Sequence, residues 1–209
     1  YSVECVRQAA SFNILPPVEA ARINTKDSFS FRYGKVEIRA KMPAGDWIIP
    51  QLWLEPKRYS RYGPKYASGK VKLAMSRGNK ELACGNVELG SKYLESGVLI
   101  GTNDEDVEGM TAVWRSGHGW ESDYHTFTFN WTPDNLRFSV DGKEEKAFLK
   151  PGQRLADLID LKKSPNPAWS AGSVIAPFDE EVFQFNYYVS NYFLRVISIC
   201  VVQYYNSSF

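Results

Sequence analysis

The chain has 209 residues, with 25 Lys plus Arg against 24 Asp plus Glu and a formal charge of +1. That balance excludes a protein held to nucleic acid or to an anionic membrane surface by net charge, which needs a basic excess. Hydrophobic residues at 44% and charged residues at 23% mark a folded chain rather than a disordered one, long enough for one domain with a sizeable core.

The chain begins at Tyr1 without Met, basic n-region or apolar h-region, and reads as a processed or partial chain. Apolar alternation starts at Phe29, Phe31 and Tyr33, then resumes out of phase at Val36, Ile38, Ala40 and Met42. A glycine at the slip, Gly34, predicts a β-bulge there. Pro43 to Asp46 reads as a turn, Trp47 to Leu54 as a second apolar strand, and Val71, Leu73 and Met75 as a third, alternating with Lys70, Lys72 and Ala74. Tyr124 to Trp131 alternates with Phe127, Phe129 and Trp131 on one face, and Trp131 is expected in the core. Thr132-Pro133-Asp134-Asn135 predicts a turn, Leu136, Phe138 and Val140 a strand, and Asp141-Gly142 a hairpin leading to Glu145–Leu149. Only Gln153 to Lys163 has helical spacing. Many short strands separated by turns predict an all-β fold, a β-sandwich.

The segment from Val182 to Phe209 differs in kind. It holds no Gly, Pro, Asp, Glu or Lys, and its apolar run is broken at Asn191, Arg195 and Ser198, so no membrane helix is expected. Without turn residues it does not parse into hairpins. The expectation is a break at Glu181, followed by an aberrant, non-homologous tail that leaves the sandwich without its C-terminal strands. Read-through into non-coding sequence would produce such a tail.

Three separated stretches carry a family resemblance. They are FSFRYGKVEIRAKMPAGDWIIPQLWLEP (Phe29 to Pro56), YASGKVKLAMSRGNKEL (Tyr66 to Leu82) and YHTFTFNWTPDNLRFSVDGK (Tyr124 to Lys143). Together they resemble glycoside hydrolase family 16, and more narrowly the insect β-1,3-glucan recognition proteins, also called Gram-negative-bacteria-binding proteins. The resemblance implies a concanavalin-like β-sandwich, or jelly roll, over residues 1–181, with a β-1,3-glucan-binding cleft on its concave face. It also implies a secreted protein of the haemolymph, with immune serine-protease cascade proteins as partners, no nucleic acid, no membrane insertion and no cofactor or metal.

Active members of that family carry Glu-x-Asp-x-x-Glu immediately before residues like Ser76-Arg77-Gly78-Asn79. Retaining hydrolysis needs two carboxyl groups about 5–5.5 Å apart, one as nucleophile and one as acid/base. This chain has Lys70, Lys72 and Met75 at those places. None can attack an anomeric carbon, and none has a carboxylic proton to give. A lysine ammonium, with an ordinary pKa of about 10.4, is poorly matched to acid catalysis at neutral pH. Glu37 is read as a solvated strand residue, Asp46 as a turn residue and Glu55 as a rim residue at a strand end, so no replacement carboxylate pair is expected.

The expected activity is therefore non-catalytic β-1,3-glucan recognition. The competing readings are an active β-1,3-glucanase and a truncated gene product without function. The resemblance nominates Trp47 and Trp53 as indole faces lining the cleft and His125 as a hydrogen-bonding neighbour of the catalytic strand, while Trp120, in the Gly-containing loop SGHGWESDYH, is expected to be exposed and to contact glucan. Arg77 and Asn79 are nominated for sugar hydroxyls at the cleft end, against a turn-stabilising role. Lys70 and Lys72 are weighed as cleft donors against a solvated strand face. Among Cys5, Cys84 and Cys200, a disulfide is expected between Cys5 and Cys84, with Cys200 free.

Overall fold

The structure, a computed structural model, describes residues 20–46, 48–102, 106–159, 166–180, 183–190 and 195–202, with 20–23, 144, 183–190 and 195–202 followed by backbone alone. Thirteen strands are described: β1 Ala20–Asn24, β2 Gly34–Lys41, β3 Gln51–Pro56, β4 Lys70–Ser76, β5 Ala83–Cys84, β6 Val87–Glu88, β7 Tyr93–Gly101, β8 Val107–Arg115, β9 His125–Thr132, β10 Asn135–Val140, β11 Lys143–Ala147, β12 Phe183–Ser190 and β13 Arg195–Val202. A six-stranded sheet in the order β1-β12-β3-β4-β7-β8 faces a five-stranded sheet in the order β11-β10-β9-β2-β13, and β5-β6 forms a small hairpin outside both. Every pairing is antiparallel. The all-β sandwich expected from the strand pattern is the fold.

The core lies between the sheets and follows the period-2 pattern. In β2, Val36, Ile38 and Ala40 are buried, while the side chains of Lys35 and Glu37 stay over a third exposed and pair with each other at 2.9 Å. In β9, Phe127, Phe129 and Trp131 are buried, as read from the sequence, and Phe138 of β10 stacks on Phe129. Each such side chain withdraws enough apolar surface to stabilise the fold by about 1.5–3 kcal/mol. The Trp131 indole N–H donates to the Phe178 carbonyl at 2.9 Å, so its one polar atom is satisfied.

Two turn expectations hold in detail. Asp141 and Gly142 both take positive φ, 54° and 67°, the conformation of a tight hairpin turn. Thr132 and Asn135 close the β9–β10 turn through a backbone N–H donated to the Thr132 hydroxyl.

Two expectations are corrected. The phase slip at Gly34 is a strand start rather than a bulge. Tyr33 and Gly34 have φ of 59° and 147°, which breaks the extended course, and β2 then pairs with β9 without a register shift. The span from Gln153 forms only a 3-10 turn, Leu155–Leu158, and residues 160–165 lie outside the described set. A short helix absent from the sequence reading, α1 Pro167–Ser170, follows, capped by the Asn166 side chain.

The segment after Glu181 adds a strand to each sheet. Phe183–Ser190 runs antiparallel between β1 and β3, and Arg195–Val202 runs antiparallel along β2. Strands therefore occupy the places that the sequence reading leaves as open edges. A backbone needs no Gly or Pro inside a strand, and the aromatic and β-branched residues of this stretch favour the extended state. Turn signals were demanded where only the connection between the strands needs them.

Candidate functional site

The outward face of the six-stranded sheet is organised by β4. Val71, Leu73 and Ala74 are buried in the core, while Lys70, Lys72 and Met75 point to the opposite face. Two core residues in succession mark a bulge. Lys72 lies opposite Gly97 of β7, and Met75, three residues on, lies opposite Glu95, only two residues away on that strand. The bulge thus brings Met75 into phase with the lysines, as the spacing of the family motif requires.

Both lysines are paired with carboxylates of neighbouring strands. Lys70 Nζ lies 3.1 Å from Glu55 Oε1 on β3, and Lys72 Nζ lies 2.6 Å from Glu95 Oε2 on β7. The second pair is well covered, with side-chain exposures of 7% and 14%. Arg77 Nη1 approaches Glu95 Oε1 at 3.7 Å, an electrostatic contact, although that nitrogen is buried and makes no hydrogen bond. Burial, and then the negative Glu95, hold the nearby Tyr93 phenol above its ordinary pKa. The face therefore carries alternating charges fixed to one another. The expectation of solvated lysines is corrected for Lys72, which is 6% exposed. Glu55, read as a rim residue, is likewise buried and paired. Glu95 was missed: it stands in β7 with no flanking motif, and only the strand order places it beside Lys72.

Trp53 lies on the same face, opposite Lys72 in register, flanked by core-facing Leu52 and Leu54. Its indole N–H donates to Gln51 Oε1 at 2.8 Å, which fixes the ring, and only 8% of the residue is exposed. Trp47 lies outside the described residues. Asn79 is buried, donates to Asp46 Oδ1 at 3.2 Å and gives its carbonyl to Ser91 N–H at 2.7 Å. It has the turn-stabilising role rather than a place on the open face.

Trp120 and His125 are not brought to this face. Trp120, expected exposed, is buried in the core cluster. Its N–H donates to the Lys92 carbonyl at 3.2 Å, and its ring meets His125 edge-on at 4.7 Å. A glycine-rich loop folds back here instead of projecting. His125 belongs to the five-stranded sheet, where Nδ1 lies 2.8 Å from Asp141 Oδ2, so it does not neighbour β4. Both residues line a cavity of about 750 Å³ beside β8. Cys84 is exposed on β5; Cys5 lies outside the described residues, and Cys200 is described by backbone only.

Among the described residues, no cluster of His, Cys, Asp and Glu could hold a metal ion, and no helix is long and apolar enough to cross a membrane.

Comparison with known proteins agrees with this architecture. Residues 102–165 match the profile of the glycosyl hydrolases family 16. A β-1,3-glucan-binding protein of Tenebrio molitor is 37% identical over 190 residues, which cover 87% of this chain and 36% of the relative. A β-1,3-glucan-binding protein of Penaeus monodon is 34% identical over 86% of this chain and 48% of its own length. Gram-negative bacteria-binding protein 1 of Drosophila melanogaster is 37% identical over 80% of this chain and 32% of its own length. The chain thus spans between a third and a half of the curated relatives it matches. Among solved structures, the laminarinase catalytic domain of Thermotoga maritima superposes with a TM-score of 0.60 at 20% identity, covering 88% of this chain and 69% of that one. The laminarinase of Flavobacterium sp. UMI-01 gives 0.60 at 20% identity, covering 87% and 72%. At that identity the likeness is one of fold.

Proposed function

We infer that this chain, which over the span it shares belongs with the arthropod β-1,3-glucan-binding and Gram-negative bacteria-binding proteins, binds β-1,3-glucan on the outward face of its six-stranded sheet without hydrolysing it. The observation that carries the reading is the state of β4. The positions where the family motif calls for carboxylates hold Lys70, Lys72 and Met75, and both lysines are engaged by Glu55 and Glu95. A carboxylate clasped by an ammonium at hydrogen-bond distance is held back from nucleophilic attack. Lys70, Lys72 and Met75 themselves supply neither a carboxylate nucleophile nor a carboxylic proton, so the two roles of a retaining glycosidase are unfilled on β4. Ground-state binding needs neither. It draws on the Trp53 indole, the Gln51 and Arg77 donors and the paired charges, which present donors and acceptors in alternation to sugar hydroxyls.

Extracellular location, recognition of microbial wall glucan and coupling to an immune serine-protease cascade belong to the same proposal. The relatives' names, which speak of β-1,3-glucan and of Gram-negative bacteria, support the microbial-glucan part of it.

The test is retention on insoluble curdlan together with release of reducing ends from laminarin. Retention without release is expected. Measurable hydrolysis by the pure protein would refute the non-catalytic reading, and failure to bind any β-glucan would refute the binding one. Replacing Lys70→Glu, Lys72→Asp and Met75→Glu together is expected to bring slight hydrolysis, by restoring the three carboxyls of the family motif, two of them the nucleophile and the acid/base, on the face.

A further inference from the structure

Between Glu55 and Glu81 the chain holds eight Lys and Arg and no Asp or Glu, against a formal charge of +1 for the whole. The positive charge of this stretch divides into two parts. On β4 and just after it, Lys70, Lys72 and Arg77 are met by Glu55 and Glu95 from neighbouring strands. In the β3–β4 loop, residues 57–69, neutralisation is incomplete. Lys57, Arg58, Arg61 and Lys65 are all exposed, as is Tyr59 at 42%. Arg61 reaches Asp179 at 3.6 Å and Glu180 at 3.7 Å with its side chain still 47% exposed. Among the described residues, no carboxylate pairs with Lys57 or Arg58.

The loop that carries these cations is held from below. The Tyr62 hydroxyl donates to Asp179 Oδ1 at 2.6 Å, and Asn166 Nδ2 donates to the Tyr62 carbonyl at 2.7 Å. Ser68 Oγ donates to the Gly63 carbonyl, and the Trp169 indole N–H donates to the Ala67 carbonyl at 2.7 Å. The Gly63 N–H donates to the Tyr59 carbonyl at 3.2 Å and closes the turn on which Arg61 stands. Lys65 keeps a φ of 55°, a left-handed conformation that a residue with a Cβ seldom takes and that persists where the surroundings hold it. The four cations are thus carried on a fixed frame, which binds with less ordering cost than a mobile one. The loop joins the strands that carry Trp53, Glu55, Lys70 and Lys72, and its last turn meets the same face: Lys70 Nζ lies 5.2 Å from the Tyr66 ring centre.

Cations spread along an exposed loop suit a polymer that carries single charges at intervals. A lone phosphate is held instead by donors that converge on one point. Tyr59 adds a flat apolar face of the kind sugar rings pack on. We propose that the β3–β4 loop is a site for the sulfate esters of a polysaccharide, engaged by Lys57, Arg58, Arg61 and Lys65 while the sugar chain runs onto the outward face. The run onto that face rests on the glucan-binding reading; the capture of sulfate groups does not.

The test compares laminarin, laminarin sulfate and heparin as ligands of the full chain and of the double variant Lys57→Gln with Arg58→Gln. Both side chains are exposed and unpaired, so the variant should fold with an unchanged urea midpoint. The parent should bind laminarin sulfate about tenfold more tightly than laminarin at about 50 mM salt and lose that gain by about 200 mM, as counterion release from about two to four charge contacts implies. The variant should keep the parent's Kd for laminarin and lose most of the gain. A gain absent from the parent, or kept whole in the variant, would overturn the proposal while leaving the glucan reading intact. Heparin contains no β-1,3-glucan and separates the two readings. A parent that holds heparin more tightly than the variant does, yet fails to bind unsubstituted laminarin, would support the sulfate site and overturn the outward-face reading. A DNA oligonucleotide held as tightly as heparin at equal salt would overturn the assignment to a polysaccharide.

Discussion

Replacing Lys72 by Met tests whether the outward face is a charge-paired surface or a merely decorated one. The Lys72–Glu95 contact is 2.6 Å, and two unit charges at that separation attract by about 6 kcal/mol at an effective dielectric constant of about 20. Desolvation offsets much of this. Removing one partner of a buried pair nevertheless costs about 3–5 kcal/mol, because the other charge stays behind unpaired. Lys72→Met should fall near the low end, about 3 kcal/mol, because Glu95 keeps the Arg77 guanidinium at 3.7 Å. Glu95→Gln should cost more, about 4–5 kcal/mol, since it leaves two cations facing each other over a half-buried face. The double variant should cost less than Glu95→Gln alone, with a coupling of about 1–3 kcal/mol between the two positions. The control is Arg137→Met, which breaks a pair exposed by 43% and 46% and should cost less than about 1 kcal/mol. Urea unfolding followed by tryptophan fluorescence gives each value by linear extrapolation. If Lys72→Met costs no more than Arg137→Met, or if Glu95→Gln is the milder of the two changes, the pairing described here does not govern the face.

Three further outcomes follow from the segment that closes the sandwich. Arg154 Nη2 donates to the carbonyls of Ser170 and Gly172 at 2.9 and 2.8 Å, so Arg154→Met should lower stability by about 2–3 kcal/mol, read as a urea midpoint shift without loss of the β-sheet circular dichroism signal. Gly69 sits at φ 71°, where a Cβ would lie 2.6 Å from the buried Phe178 ring; Gly69→Ala should cost about 3 kcal/mol and lower Tm, and an unchanged Tm would contradict that packing. Asp179 and Tyr62 share a 2.6 Å hydrogen bond and titrate in opposite senses. Burial pushes Asp179 up, but hydrogen bonds from Tyr62 and Ser173 and the Arg61 cation outweigh it and leave the carboxyl below its ordinary value. Its contribution is present above about pH 4 and lost as acid takes the pH down through the lower folded value. Burial and Asp179 hold the Tyr62 phenol well above its ordinary value, so that contribution is present below about pH 10 and lost as pH rises beyond it. Asp179→Asn should flatten the acid limb of stability against pH; an unaltered limb would assign acid unfolding to other groups.

The fold was legible where a residue's neighbours in sequence are its neighbours in burial. Phe127, Phe129 and Trp131 announce their face by alternation, and Asp141-Gly142 announces its turn by composition. The site was legible only in part. Lys70, Lys72 and Met75 could be read because they fall in one motif on one strand. Their partners, Glu55 and Glu95, come from two other strands, and no local pattern says which strands lie side by side. Trp120 misled for a related reason: a glycine-rich loop suggests exposure, but the Lys92 carbonyl and the His125 ring that bury the indole are 28 residues before it and five after it. The pairing of β12 and β13 was not legible, because the absence of turn residues says nothing about whether a strand has somewhere to pair.

Lys146 of β11 donates to the Val113 carbonyl of β8 at 2.7 Å and stands 5.0 Å from the Trp114 ring centre. β8 ends the six-stranded sheet, and β11 ends the five-stranded one on the same side of the sandwich. An end strand with free carbonyls is a template on which a foreign strand can grow. By reaching from β11 to the Val113 carbonyl, Lys146 occupies one of those acceptors with an ammonium and ties the two free borders together. An incoming strand would have to displace a charged donor from its acceptor and from the Trp114 ring before it could add to β8. Lys146→Leu would leave the Val113 carbonyl without that donor.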